Sequence, residues 1–401
     1  MAFRVMILIL LIFLTACQQQ SVDQDIIFKR ENSQLSLETR KATVLESDSK
    51  EKLKLRDFHK LKTTALTSYV EDVGTLASIG VSGITHDNIT PDDIFTKPQK
   101  TSYLSNTSAI HPSYLILTFD NDIFAETDYY YTNGFSVGLV HPKLNNRTFG
   151  RILAGLGYKS LNTTGLRIHQ FMFTPQNPEA IEIDYNDRPF AGVLLVEYFK
   201  LSQLVNRSLN FHASLSLGVI GKASMAQALQ TVMHQLEPKG WDYQIGNDLL
   251  LNYDMSLEKL VFSGKFWQLS GMIEAGLGSY QTYGGGALQL RIGLLNGFKN
   301  SYLPELENVS STNKVGSFWF FFQPAWHYVV HNASLNGGFL NKNNAHYFTH
   351  DEIRHNLARF SAGFSWHYRK IGLGIRWTQI GPEFHTANKH NWGSMSLLYT
   401  L

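Results

Sequence analysis

A single cysteine, Cys17, stands in the 401 residues, and no apolar run is long enough to cross a bilayer as a helix. One cysteine excludes an internal disulfide and any zinc site built on thiolates. Charge is also scarce, at 17% of residues with a net of +2. Clusters of Lys and Arg interleaved with aromatics are missing, which sets nucleic acid aside as a partner. The mean hydropathy of −0.16 excludes a bundle of transmembrane helices. Aromatics reach 13%, and glycine occurs 31 times. Many aromatics, many glycines and few charges suit a membrane β-barrel, whose strands are apolar only at alternate positions.

The N-terminus reads MAFRVMILILLIFLTAC over residues 1–17. Arg4 followed by the short apolar run Val5 to Leu14 predicts a secretory signal rather than a membrane span. Leu14-Thr15-Ala16-Cys17 resembles a bacterial lipobox, so Cys17 is expected to carry lipid, and Gln18 after it resembles lipoproteins sent to the outer membrane. Residues 18–112 change in composition. Gln18 to Lys62 is polar and lacks both Pro and Gly, and 78–112 is rich in Ser, Thr, Asn and Asp with three prolines. A mostly disordered periplasmic extension is expected there.

From residue 113 to 401 the hydrophobic period becomes two. Residues 209–220 set Phe211, Leu215 and Leu217 against Asn210, His212 and Ser216, and 287–295 set Leu288, Leu290 and Ile292 against Gln289 and Arg291. One face is apolar and the other is polar or small, as lipid outside and a polar lumen inside require. A soluble sandwich shares this period. The signal segment, the aromatics at strand ends and the closing strand Trp392 to Leu401 favour an all-β, twelve-stranded antiparallel transmembrane barrel. Strands are expected near 113–120, 132–141, 164–174, 189–203, 208–220, 242–256, 264–278, 286–296, 316–331, 355–369, 371–380 and 392–401. An even count returns both ends to the periplasm and puts the links after odd strands at the extracellular rim. The long periplasmic links 142–163 and 297–315 break the usual rule of short turns there, and a small amphipathic helix is expected over 151–161.

Parity gathers three polar segments, 120–132, 175–189 and 221–241, on the extracellular rim. The first offers the oxygen donors Asp120, Asn121, Asp122, Asp128 and Thr132, which suit Ca²⁺ better than zinc; a charged turn is the plainer alternative. In the third, Gln227, Gln230, His234 and Glu237 are spaced to share one face of a short helix ended by Pro238. A His beside a carboxylate can serve as a general base. A rim helix with its polar face in water would show the same pattern. The histidines of 331–355 read as rim polar groups, since no pair has zinc-site spacing with a third ligand.

Several runs together resemble a known family. They are TFDNDIFAETDYYYTNGFSVG (118–138), DRPFAGVL (187–194), LGVIG (217–221), Gln230-x-x-x-His234, KGWDYQ (239–244) and PEF with the following Gly-Ser strand (382–396). In this order they are similar to the outer-membrane lipid A 3′-O-deacylases. The resemblance covers about 113–401. It implies a twelve-stranded outer-membrane barrel that hydrolyses the 3′-linked acyl ester of lipid A with Ca²⁺ as cofactor, taking lipopolysaccharide as its substrate. Motif by motif, Asn121 and Asp122 match the Asn-Asp ending the first strand, Thr132 the Thr opening the second, His234 the catalytic His, and Glu237 the Glu that follows. The implied catalytic set is His234, Glu237, Thr132, Asn121 and Asp122, with Asn121, Asp122, Thr132 and Glu237 near the metal. Two departures concern substrate binding: Gln176–Asn177 stands where a basic pair is expected, and Ala228 where an acid is expected. The alternatives are an outer-membrane phospholipase and a non-catalytic porin-like barrel. A monomer is expected.

Overall fold

Polar side chains are buried and large apolar ones are exposed along the strands, the reverse of a soluble sandwich. Arg167, Glu197, His212, Glu258 and Arg291 are buried, while Leu217, Ile273, Leu277, Leu288 and Phe320 are exposed. Water cannot be what the exposed wall faces; hydrocarbon can. In this computed structural model the described residues are 113–122, 129–145, 152–157, 160–178, 182–234, 239–298, 301–303 and 316–401. The signal, Cys17 and the extension 18–112 lie outside them.

Twelve strands close into one antiparallel barrel, each bonded to its sequence neighbour and the first to the last. They are β1 Tyr114–Asn121, β2 Tyr130–Val140, β3 Leu161–Thr174, β4 Ala191–Leu204, β5 Leu209–Ile220 and β6 Asp248–Ser263, then β7 Trp267–Gly278, β8 Gln281–Leu294, β9 Ser317–Asn332, β10 Asn356–Tyr368, β11 Ile371–Ile380 and β12 His390–Thr400. Closure removes every free edge, which the bilayer demands. The seam pairs Tyr114 with Thr400 and Asn121 with Gly393. Exposed Trp326 and Tyr328 stand toward the upper ends of the wall, and Phe266 and Tyr368 toward the lower turns.

The number and order of strands agree with the expectation, but some boundaries move. β6 runs from Asp248, not 242, because Lys239–Tyr243 forms a 3₁₀ turn whose Trp241 is fully buried. β8 starts at Gln281, before its glycines, not at 286. No helix forms over the described part of 151–161. Residues 152–157 are turn and coil, and Gly157 takes φ +83°, a left-handed geometry that breaks a helix.

The described residues 301–303 of the long link after β8 lie inside the barrel. Ser301, Tyr302 and Leu303 sit inside the lower lumen. The Ser301 amide donates to Glu258 Oε2 (3.1 Å), and its hydroxyl meets Glu258 Oε1 and Gln289 Oε1, both at 2.7 Å. Arg291 completes the group by pairing with Glu258. The Tyr302 hydroxyl donates to Glu197 (2.7 Å), and its ring stacks on His212 at 3.7 Å. Leu303 packs with Tyr114, Ile116, Val140, Phe199, Leu201 and Leu398. Above this plug a cavity of about 290 Å³ is lined by Arg167, Glu274, Arg359 and Arg376 among others.

Candidate active site

The upper rim is built from the ends of β1, β3, β5, β7, β9 and β11. It therefore carries the segments after Asn121, Thr174 and Ile220 together, as parity predicts. Side-chain direction narrows the place further. On β1, Asn121 shares its parity with Leu117 and Phe119, opposite Ile116 and Thr118, which line the lumen. Asn121 is thus on the lipid side of the wall, yet it is only 4% exposed, and Asp122 only 1%. Across the ladder Asn121 pairs with Asn133 of β2.

A bulge interrupts β2 next to this pair. Tyr131 faces Phe173 and Asn133 faces Met172, so Thr132 is the additional residue. A bulge bends a strand and re-aims a side chain, and bulges gather beside active sites. Here it sends the Thr132 hydroxyl to Thr174 Oγ1 at 2.6 Å. Thr174 has the parity of Leu166 and Ile168, which are 39% and 52% exposed, so this hydroxyl pair also belongs to the outer face. Tyr130 enters the bulge at φ +70°, a conformation a tyrosine adopts only when held. Its ring is boxed by Phe384 and His390, both 5.4 Å away, and its hydroxyl accepts from Gln176 Nε2 at 2.7 Å.

The longest helix among the described residues, α1 (Ala226–His234), lies on the same outer face. Ala226 packs with Met172, Phe190 and Trp241. Gly192 makes this approach possible: a Cβ there would come within 2.4 Å of Ala226 Cβ and 2.3 Å of Ser224 Oγ. Gln230 is buried and accepts from Trp241 Nε1 at 2.5 Å. His234, one turn further on, is the last residue of α1. The expected helix therefore exists over Gln227, Gln230 and His234; Glu237, Pro238 and Asp128 lie outside the described residues.

The structure brings Asn121, Asp122, Thr132 and the helix bearing His234 to one rim, with Asn121, Thr132 and the start of α1 on its lipid-facing side. Among the described residues no three His, Cys, Asp or Glu side chains converge as a metal-binding group. The described donors near the β1 end are an amide, a carboxylate and a hydroxyl. This oxygen set fits Ca²⁺, which takes carbonyls, hydroxyls and water beside few carboxylates, and does not fit zinc.

Arg188 and Glu383 escaped the sequence reading as site components, although both fall within quoted runs. Arg188 is 1% exposed; it donates to Glu383 at 2.5 Å and to Ser334 Oγ at 2.6 Å, with Phe173 4.5 Å beneath its guanidinium. An arginine between an acid and a proline at a strand start reads as a surface charge, and only long-range pairing reveals the buried partner. Beside it, a pocket of about 280 Å³ is lined by Gln176, Asn177, Glu182, Asp184, Asp187 and His346. Burial pushes the Asp187 carboxyl above the usual carboxylate range, against the pull of the N–H groups of Gln176 and Arg188.

Comparison with known proteins follows the same lines. The LpxR structure from Salmonella typhimurium superposes with a TM-score of 0.59 at 16% identity, covering 72% of this chain and all of that one. At that identity the likeness speaks for the fold. Two further barrels, the β domain of the Bordetella autotransporter BrkA (TM-score 0.36, 9% identity, 72% of this chain and 98% of that one) and the COG4313 outer membrane channel of Pseudomonas putida F1 (0.39, 8%, 78% and 100%), are more distant. No curated protein sequence matches the chain. The model of the family described as "Outer membrane protein LpxR" matches residues 95–401, more than half of the chain and the whole barrel. The chain is an outer-membrane barrel and belongs to the LpxR family, the lipid A 3′-O-deacylases that its motifs resemble.

Proposed function

We propose that this barrel hydrolyses the 3′-linked acyl ester of lipid A in the outer leaflet, with His234 as general base and Ca²⁺ as cofactor. One observation carries the reading. Asn121, the Thr132–Thr174 pair and α1 lie on the lipid-facing side of the upper rim, where a lipid ester arrives from the bilayer without entering the barrel. A soluble-substrate enzyme would gain nothing from this placement.

In this mechanism the acyl chains stay against the apolar wall while the sugar sits at the rim. His234 takes a proton from water as the oxygen attacks the ester carbonyl, then returns one to the sugar oxygen as the acyl C–O bond breaks, so that it departs as the hydroxyl. The products are a free fatty acid and lipid A with that hydroxyl uncovered. Glu237 would orient the imidazole. Asn121, Asp122 and Thr132 would hold the cation, with Glu237 beside them. When bound, Ca²⁺ supplies positive charge toward the carbonyl oxygen as negative charge develops on it. Low water content at the membrane edge strengthens every such interaction.

Mass spectrometry of lipid A from cells expressing the wild type or His234→Ala tests this. Loss of one 3′-linked acyl substituent with the wild type, and its retention with the variant or under calcium chelation, is expected. An unchanged lipid A pattern with the wild type under added Ca²⁺ would sink the assignment. Release of fatty acid from glycerophospholipid instead would favour a phospholipase.

A further inference from the structure

Two halves of the rim come from distant parts of the chain, and something must fix their spacing. The geometry points to Arg188 and Glu383 as the positioning pair of the site, an inference that rests on the rim being the esterase site. Arg188 comes from the link before β4, Glu383 from the link before β12, and Ser334 from the helical turn after β9. Asn332 joins them by accepting from the Ser334 hydroxyl at 2.8 Å and donating to Glu383 at 3.4 Å. One buried cluster thus ties three rim links together.

From this cluster an arm runs to each half of the site. On the Arg188 side, Phe190 lies two residues on. Its ring packs on Trp241 at 5.2 Å, and its carbonyl accepts from the Ile245 amide at 2.8 Å. Trp241 in turn holds Gln230, one helical turn before His234. On the Glu383 side, Phe384 is fully buried between Phe348, 4.5 Å away, and the ring of Tyr130 at 5.4 Å. Tyr130 is the left-handed residue that opens the bulge at Thr132. The ion pair is therefore where the two arms meet. If it slackens, α1 and the bulge each keep their own packing but lose their common reference.

Stability alone does not explain such a pair. Desolvating two charges is costly, and a buried ion pair replaced by apolar residues of similar volume is often neutral or stabilising. That replacement separates positioning from support. Arg188→Met with Glu383→Leu removes both charges together and leaves neither partner stranded. The double variant is expected to keep the heat-shifted gel mobility of a folded barrel and an unfolding midpoint close to wild type. Its kcat on lipid A is expected to fall about 10²-fold with KM little changed, the scale on which an ångström of misplacement acts. Arg188→Met alone leaves Glu383 buried and unpaired and is expected to lose stability as well.

A second readout does not need turnover. Spin labels on Leu229→Cys, exposed on α1, and Lys389→Cys, exposed before β12, in a Cys17→Ser background report the spacing of the two halves by pulsed electron resonance. A narrow distance distribution with Arg188 and Glu383 in place, broadened in the double variant, is expected. An unbroadened distribution, or unchanged kcat in the double variant, overturns the positioning role. If the wild type leaves lipid A intact, the esterase reading falls, and the distance distribution alone then decides whether the pair sets the rim spacing. Should the double variant fail to reach the folded form, Glu383→Gln, which keeps shape and an acceptor oxygen, is read in the same two ways.

Discussion

Thr132 Oγ1 lies 2.6 Å from Thr174 Oγ1 across the β2–β3 seam, where the bulge breaks the register. Both residues are buried, at 7% and 1% exposure, so neither hydroxyl has much water to turn to. Thr132→Ser keeps the hydroxyl and is expected to keep activity. Thr132→Val keeps the shape and strands Thr174, at a cost of about 1–3 kcal/mol for an unmet buried polar group. On the proposed function it also removes an oxygen from the calcium surroundings. Calcium titration of lipid A deacylation is expected to show half-saturation shifted up by about 10–100-fold in the Val variant and near wild type in the Ser variant. Equal curves for all three would take Thr132 out of the ion's environment.

Much of this arrangement was readable from residue types and spacing. Strict alternation of the kind seen at Leu288, Leu290 and Ile292 against Gln289 and Arg291 fixes which side faces lipid, and an even strand count fixes which links share a rim. Asn121, Asp122, Thr132 and the helix ending at His234 fall together for that reason alone. The bulge was not readable, because an additional residue leaves no mark on a run already rich in tyrosine. Nor were Arg188 and Glu383, which are 195 positions apart and meet only after the barrel closes. Local pattern carries period and parity; it carries nothing about pairs made by closure.

The plug gives the lumen a testable property. Ser301, Tyr302 and Leu303 reach side chains of β1, β2, β4, β5, β6, β8 and β12 near the periplasmic end. A porin-like barrel would need that path open. Purified wild type in planar bilayers is expected to show no steady conductance. Replacing Ser301, Tyr302 and Leu303 together by glycine removes the hydroxyl contacts and the apolar wedge, and is expected to open discrete conductance steps. Wild-type conductance equal to that of the variant would mean that the plug does not seal.

Glu258 anchors the same plug and bears on stability more than permeability. It takes the Ser301 amide, the Ser270 hydroxyl and the Arg291 guanidinium, and it is 3% exposed. Glu258→Ala leaves the fully buried Arg291 without its counter-charge, a loss of about 3–5 kcal/mol where a buried pair is broken on one side. Replacing Glu258 and Arg291 together by Leu and Met is expected to recover most of that loss. Urea unfolding followed by gel mobility distinguishes the two. A double variant no more stable than Glu258→Ala would mean that the pair contributes net attraction rather than mutual neutralisation.

Asp187 makes the rim sensitive to acidity in a direction opposite to most carboxylates. Its carboxyl accepts from the amides of Gln176 and Arg188, both at 2.7 Å, which favours the ionised form. Burial outweighs them and raises its pKa. A folded-state pKa above the unfolded value means that the native chain holds the proton longer. Stability from this group is then full below the ordinary carboxylate range, and declines as pH rises through that range to the raised folded value. Asp187→Asn cannot ionise, so its pH slope lacks this component. It also loses one acceptor oxygen toward the two amides, an offset that does not vary with pH. The unfolding free energy of Asp187→Asn minus that of wild type is therefore expected to climb as pH rises through the ordinary carboxylate range to the raised folded value and then level off. A difference that falls over the same interval would mean that the two amides, and not burial, control this carboxyl, and that the neighbouring pocket is wetter than its geometry implies.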